Sequence, residues 1–499
     1  MLGNNNINNE SKMKITSFES AECGAFGDVL NKKPSNGKIK IGLLGLGYFE
    51  YWRMYPQMKE IVTKDLTGVY QKLTDTLDDF KIIYPGMVDT LDRAEEAGAE
   101  FAREHVDLLI IVEGTYIPDF ITVHAINRCG TNPQLILFNS QTGYDVSPTD
   151  DYVATMRNSA LIGISQLTGS FNKMKRDYEV VVGEINDPRP YREIKSIAKA
   201  YRSVKKLKSS TYGLIGHVFR GMYDLEFDTA KVKGFLGPDV MAIQAEQLVA
   251  IWKDISSDEV DDEAEKLFKR FKHKKIEIDD VKRSCRVGLA MKKIYSKYQL
   301  GGLCFLGQHY IEKMTGAPAR MGASLMMEQD HAMVACEGDI GGLVMMQLLY
   351  DFTGNIPFHA EWGQFDRKHN AIFLLGHGIA SSELGLNPTL TCSPEEWGFK
   401  GNGLNYEMIM KPGPVTMGHF LNTGDSWQMF ISEGEAIDFP CLPCDEIHAM
   451  IRVETPVEEY VKRVLEKGVA HHLVVAHGSV TDELKKVAKF MRIEHEVIK

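Results

Sequence analysis

Between Lys38 and Asn139 the chain alternates short apolar runs with amphipathic stretches: "KIKIGLLGLG", "MKEIVTKDLTGVYQKLTDTL", "KIIYPG", "TLDRAEEAGAEFAREH", "DLLIIV", "FITVHAINR" and "PQLILFN". No other feature constrains the fold as strongly. Apolar runs bounded by turn residues read as strands buried on both faces, and helices between them build a parallel sheet covered on each side. A second series opens near "YEVVVGEI", passes through a basic helix and the strand "TYGLIGHV", and leads into amphipathic helices expected from Asp239 to Gln299. From about Asn355 helical periodicity fades, Gly and Pro become frequent, and runs such as "NAIFLLGHG", "EMIMKPG" and "SWQMFISEGEAID" read as antiparallel strands. The expected fold is α/β: two doubly wound parallel-sheet domains followed by a β-rich, barrel-like C-terminal domain. The limits read as a loose polar arm over 1–37 and domains over 38–177, 178–352 and 353–499. At 499 residues the chain exceeds what one core supports, which agrees with several domains.

Composition excludes several classes. A net charge of −11 disfavours nucleic acid and anionic membrane as partners. No apolar run reaches bilayer length, and "MLGNNNINNESKMK" lacks the apolar core of a secretory signal, so a cytoplasmic protein is expected. Eight cysteines, at 23, 129, 285, 304, 336, 392, 441 and 444, are scattered without a repeated pair, as suits a reducing compartment. The C-x-x-C of Cys441 and Cys444 has no second pair for a zinc ribbon and reads as a loop. The run "SSDEVDDEAEKLFKRFKHKKIEIDD" alternates acids and bases and reads as solvated helix faces. The turn "GLGYFEYW" supplies Gly45 and Gly47 of a dinucleotide fingerprint, but Glu50 stands where the third glycine belongs, beside the space a pyrophosphate would fill. A nicotinamide site is therefore not expected there, and the turn reads as the lining of a pocket for a neutral polar ligand.

Acids and histidines crowd into one interval. "MVACEGDIGG" carries Glu337 and Asp339, "FHAEWGQFD" carries His359, Glu361 and Asp366, and "LLGHGIASSELG" carries His377. Glu361 follows Glu337 by 24 residues and His377 follows by a further 16, so each falls on a separate short element. Further on, "AHHLVVAHG" sets His471 and His472 at the entrance of a strand, where alternation points them to opposite faces and one of them inward. Two carboxylates and one or two imidazoles form a mixed O/N set suited to a hard or borderline divalent ion, whereas a structural zinc site would use cysteines.

These segments resemble those of a known family. "AHHLVVAHG" is similar to the His-His strand near the C-terminus of L-arabinose isomerases, and "ACEGD" resembles the metal-site segment shared with L-fucose isomerases. "LILFNSQT" is similar to the strand end of the N-terminal domain that reaches a sugar site. The resemblance spans Lys38 to Lys499 and is strongest over the last ~165 residues. It implies two Rossmann- or flavodoxin-like domains with a barrel-like third. It also implies Glu337, Glu361, His377 and His472 as metal ligands and the two glutamates as the catalytic acid–base pair. Asn139, Gln141, Asp339 and His471 are then substrate contacts, with Asp339 as an alternative to Glu361 for the second carboxylate ligand.

The implied activity is metal-dependent aldose–ketose isomerisation of a free pentose or deoxyhexose, L-arabinose to L-ribulose in type, through an enediol. The cofactor is Mn2+, with Co2+ or Mg2+ as alternatives, and the assembly is a homo-oligomer, hexameric or trimer-based. A non-catalytic sugar-binding protein, or a metal-dependent epimerase or aldolase using the same enediolate chemistry, stands as the alternative reading.

Overall fold

The computed structural model describes residues 39–306, 308–392 and 403–499. The arm expected over 1–37 lies outside them. Five parallel strands form the first sheet: β1 (Lys40–Leu46), β2 (Lys81–Ile83), β3 (Leu108–Glu113), β4 (Gln134–Gln141) and β5 (Tyr178–Glu184), in the order β2-β1-β3-β4-β5. All six residues of β3 are buried, because helices cover both faces. The helix Gln57–Thr76 shows how: Met58, Val62, Leu66, Val69 and Leu73, three or four apart, make the stripe it lays on the sheet. β5 lies in the stretch read as opening the central unit, and it pairs along its length with β4.

The second sheet begins with β6 (Thr211–Ile215) and β7 (Asp239–Ile243). β7 occupies part of the stretch expected to be helical from Asp239. Its five residues carry two β-favouring side chains, Val240 and Ile243, and pair with β6, so tertiary pairing, not the longer helical periodicity, decides there. A two-residue strand, β8 (Lys272–His273), leaves for the third sheet, and β9 (Gly302–Phe305) and β10 (Val334–Ala335) complete the second in the order β10-β9-β6-β7.

The third sheet contains β11 (Phe358–Asp366), β12 (Ala371–Leu375), β13 (Gly385–Cys392), β14 (Leu404–Met410), β15 (Gly413–Asn422), β16 (Trp427–Ala436), β17 (Ile447–Arg452), β18 (His472–His477) and β19 (Glu494–Ile498). Strands β16-β15-β18-β11-β12-β17 are neighbours in that order, and β16 also pairs with β17, which closes six strands into a barrel. β14, β13 and β8 extend from β17, and β19 extends from β16. The expected barrel-like domain is thus present. Along β18 the pleat splits the core: Leu473 and Val475 join one apolar cluster with Phe358, Leu374 and Met417, while Val474 and Ala476 join the other.

That second cluster surrounds the helix Ile340–Thr353, whose residues 340–349 are all buried. A helix apolar on every side cannot lie on a surface. It is held between the second sheet and the outer face of β15 and β18, with Leu343, Val344, Met345, Met346, Leu348 and Leu349 each contributing about 1.5–3 kcal/mol of burial. Its N-terminus therefore lies where the second parallel sheet meets the barrel. Among the described residues no helix is long and apolar enough to cross a membrane.

Candidate metal and active site

The sharp turn after β10 builds the centre of the site. Glu337 and Gly338 take positive φ in succession, +60° and +79°. For glutamate this costs about 1–2 kcal/mol, and such strain is retained where surrounding structure over-determines it. Gly338 answers to a close approach as well, since a Cβ there would lie 2.6 Å from the Cα of Val218. The loop that carries Val218 follows β6 and also donates Phe219 N–H to the Glu337 carbonyl oxygen. Asp339 caps the helix Ile340–Thr353, its side chain accepting from Gly342 N–H at 2.7 Å.

The barrel supplies the other groups. Glu361 on β11 stands directly across from His472 on β18, so pleating sends both side chains to one face, and His359 lies two residues earlier on that same face. His377 follows the end of β12. His472 Nε2 is 3.2 Å from Glu337 Oε2 and 3.9 Å from Glu361 Oε1, His377 Nε2 is 3.0 Å from Glu361 Oε1, and His377 Nδ1 is 3.7 Å from Glu337 Oε1. His471 Nε2 approaches Glu337 Oε2 at 3.5 Å, and its Nδ1 meets Asp224 Oδ2 at 2.6 Å. The two adjacent histidines therefore reach the same carboxylate, contrary to the opposite-face expectation. The strand starts at His472, which leaves His471 in the preceding turn, free of the pleat.

Three atoms test whether this arrangement fits a metal. Glu337 Oε2, His471 Nε2 and His472 Nε2 are buried and make no hydrogen bond among the described residues, although they face one another. Buried polar atoms are almost always paired, so three orphans around one point mark a missing partner. The separations agree: cis ligands on an octahedral ion with bonds of about 2.1 Å lie about 3 Å apart. Glu337, Glu361, His471 and His472 offer ligand atoms all within 4.8 Å of one another, as do Cys336, Glu337, His377 and His472. The structure thus contains a cluster able to hold a divalent cation.

The electrostatics favour ionised carboxylates. Burial raises the Glu337 carboxyl, but the neighbouring His471, His472 and His377 outweigh it and hold it well below the usual range. Glu361 is lowered too, His377 prevailing over burial. Burial pulls His472 down, yet Asp339 and Glu337 prevail and lift it to about 10. Burial, with the neighbouring His472, pushes His359 down to about 4. The thiol of Cys336, 3.8 Å from the Nδ1 atoms of both His359 and His377, is raised far above its ordinary value by burial and stays protonated.

Of the residues singled out from sequence, Glu337, Glu361, His377, His471 and His472 come together here. Asp339 lies beneath them with both oxygens engaged, by His359, His419, His472 and Gly342. Asn139 and Gln141 stand at the end of β4 in the first sheet, and among the described residues no hydrogen bond or ion pair joins them to this cluster. Gly47 admits the Trp52 ring, since a Cβ there would fall 2.7 Å from it. Cys441 and Cys444 are free thiols in the loop between β16 and β17. Asp224 and His419 were not picked out from sequence. Asp224 sits in a turn with no periodic signal, whereas His419, alone in the apolar strand "VTMGHFLN", carries the same signature as His359.

Known proteins resemble this chain in two respects. Residues 396–499 match the model of the L-fucose isomerase C-terminal domain. A sulfoquinovose isomerase from Alkalicoccus urumqiensis is 22% identical over 336 residues, 67% of this chain and 75% of that protein. Sulfoquinovose isomerases from Priestia aryabhattai and Priestia megaterium are each 22% identical over 170 residues, 34% of this chain and 38% of theirs. The chain is thus similar to L-fucose isomerases in its C-terminal domain and to sulfoquinovose isomerases over up to 67% of its length.

Proposed function

We propose that this protein is an aldose–ketose isomerase of the L-fucose/L-arabinose isomerase superfamily, a divalent-metal-dependent isomerase of sulfoquinovose, an aldohexose bearing a sulfonate at C6, and that the product is the matching 2-ketose. The similarity to three sulfoquinovose isomerases supports this substrate over the pentose or deoxyhexose expected from the arabinose resemblance. The metal reading is carried by the three orphaned atoms of Glu337, His471 and His472. Glu337, Glu361, His377 and His472 would hold the ion, Mn2+ first among the candidates. When bound, it supplies positive charge beside O1 and O2 of the sugar, where negative charge develops as the enediolate forms.

The chain's own groups do the rest. Isomerisation removes a proton from C2, returns it to C1, and shifts another between O2 and O1. Glu361, its side chain 30% exposed against 9% for Glu337, faces the open side and carries the carbon-bound proton. Glu337, the more enclosed, serves as its acid–base partner. His471, steadied by Asp224, stands at the rim, on the wall of a groove of about 450 Å3 whose other face carries Trp362, Phe365 and Leu465. Asn139 and Gln141 would contribute from a neighbouring subunit of a homo-oligomer in the cytoplasm. The deciding experiment incubates metal-stripped protein, with and without Mn2+, with sulfoquinovose, L-arabinose, L-fucose, D-arabinose and D-galactose. A ketose from sulfoquinovose alone, only with Mn2+, is expected; a ketose from none of them in folded, metal-loaded protein refutes the substrate assignment and the isomerase chemistry together.

A further inference from the structure

Asp339 takes no part in that scheme, yet it is the most heavily engaged acid in the site. Its Oδ2 meets His359 Nε2 at 2.9 Å, His419 Nε2 at 2.9 Å and His472 Nδ1 at 3.0 Å, while Oδ1 accepts from the Gly342 N–H. The residue is 1% exposed, and its three imidazoles come from three different strands, β11, β15 and β18. The space is made to measure: a Cβ on Gly342 would fall 2.2 Å from Oδ2 and 2.9 Å from His359 Nε2. Both oxygens are used, so none remains for an ion or a sugar hydroxyl.

An ionised carboxylate only accepts hydrogen bonds, so every ring nitrogen that faces Oδ2 must carry its proton. For His472 this places a hydrogen on Nδ1. The nitrogen that would face a bound ion is then Nε2, the atom that points at Glu337 and Glu361. For His359 and His419 the protonated atom is Nε2, which makes both of them donors to the same oxygen. The centroids of the His359 and His472 rings are only 4.4 Å apart, so the carboxylate also separates and orients two imidazoles that would otherwise compete for one space.

We propose that Asp339 is a positioning residue, which sets the proton-bearing nitrogen and the ring plane of His472 so that Nε2 is presented to the metal, and that His359 and His419 act by anchoring this carboxylate. The inference rests on the metal reading of Glu337, Glu361, His377 and His472. It assigns Asp339 neither the substrate contact nor the alternative ligand role that the sequence left open. A carboxylate behind a metal-binding histidine typically governs affinity by 10–100-fold. In Asp339→Asn an amide replaces the acceptor, and its N–H group, turned toward either Gly342 or the imidazoles, meets a donor.

The test is a Mn2+ titration of metal-stripped protein, followed by the electron paramagnetic resonance of the free ion, with melting temperature and the split of sugar KM against kcat as parallel readings. Asp339→Asn should bind Mn2+ about 10–100-fold more weakly, with sugar KM at saturating Mn2+ little changed. His419→Leu should weaken binding severalfold, and His419→Gln, which keeps an N–H donor of similar reach, should recover most of the loss. A structural role alone would lower the melting temperature in all three and would not distinguish Gln from Leu. If the wild type binds no divalent ion, the metal reading fails. If it binds and folded Asp339→Asn binds within twofold, the positioning role fails while the metal reading stands. Should Asp339→Asn not fold, equal affinity in the Leu and Gln variants of His419 overturns the inference.

Discussion

Replacing Glu361 by glutamine separates chemistry from architecture, because the change removes a charge and a base at nearly constant volume. Glu361 Oε1 lies 3.0 Å from His377 Nε2 and 3.9 Å from His472 Nε2. The amide oxygen of glutamine can still accept from His377, so the folding cost is less than the about 1.5–3 kcal/mol of a hydrogen bond to a charged group. Partial exposure of the side chain, 30%, reduces it further. We expect a loss near 1 kcal/mol or below. Turnover should respond on another scale: loss of a positioned general base costs about 10²–10⁴ in rate, or roughly 2.7–5.4 kcal/mol at 1.36 kcal/mol per decade. The assay measures kcat for ketose formation at saturating Mn2+ alongside the melting temperature of the metal-free protein. A kcat within threefold of wild type, with Mn2+ demonstrably bound, would refute the role given to Glu361. A collapse of the melting temperature matching the fall in rate would assign the residue to the fold instead.

Three further outcomes follow from other parts of the molecule. Glu113, buried at the end of β3 with neither carboxylate oxygen hydrogen-bonded among the described residues, has its pKa pushed well up by burial and by nearby Asp119. Its neutral form is the one the fold favours, so its contribution is fully present below the unfolded carboxyl pKa of about 4.5 and lost as pH rises above it; Glu113→Gln should gain melting temperature relative to wild type at pH 8 compared with pH 4, and a pH-independent difference would contradict this. Gly288 and Gly322 let the helices Ile278–Lys297 and Arg320–Asp330 touch, a Cβ on Gly288 falling 2.7 Å from the Gly322 Cα; Gly288→Ala should cost about 1–3 kcal/mol by denaturant unfolding, and a neutral result would mean the crossing is slack. Light scattering should find an assembly larger than one chain, and a fully active 56.1 kDa species at high dilution would exclude a shared site.

The parallel sheets were legible because β1, β3 and β4 are continuous apolar runs flanked by helical stripes, a pattern with few structural solutions. β7 was not, since a strand of five residues inside longer helical texture carries too little periodicity, and pairing with β6 decides it. The same division runs through the site. Glu337, Glu361, His377 and the His471–His472 pair were visible because charged or titratable groups interrupt apolar strands, where an unpaired one would be costly. What sequence spacing cannot carry is direction. His471 and His472 were assigned to opposite faces by a pleat that begins one residue later. Asp339, two residues from Glu337, reads as a substrate contact or as the alternative to Glu361, whereas the helix that it caps turns it the other way, into three imidazoles. The distinction between the two acids is made by the turn between them, Glu337 and Gly338 in the left-handed region, which sends one carboxylate toward His377, His471 and His472 and the other back to His359 and His419. That turn in turn depends on the β6 loop closing over Gly338 at Val218, the loop that also brings Asp224 to His471. A glycine with no room for a Cβ is the feature of "CEGD" that sequence shows without revealing why, and it is what gives the two neighbouring acids different positions in the site.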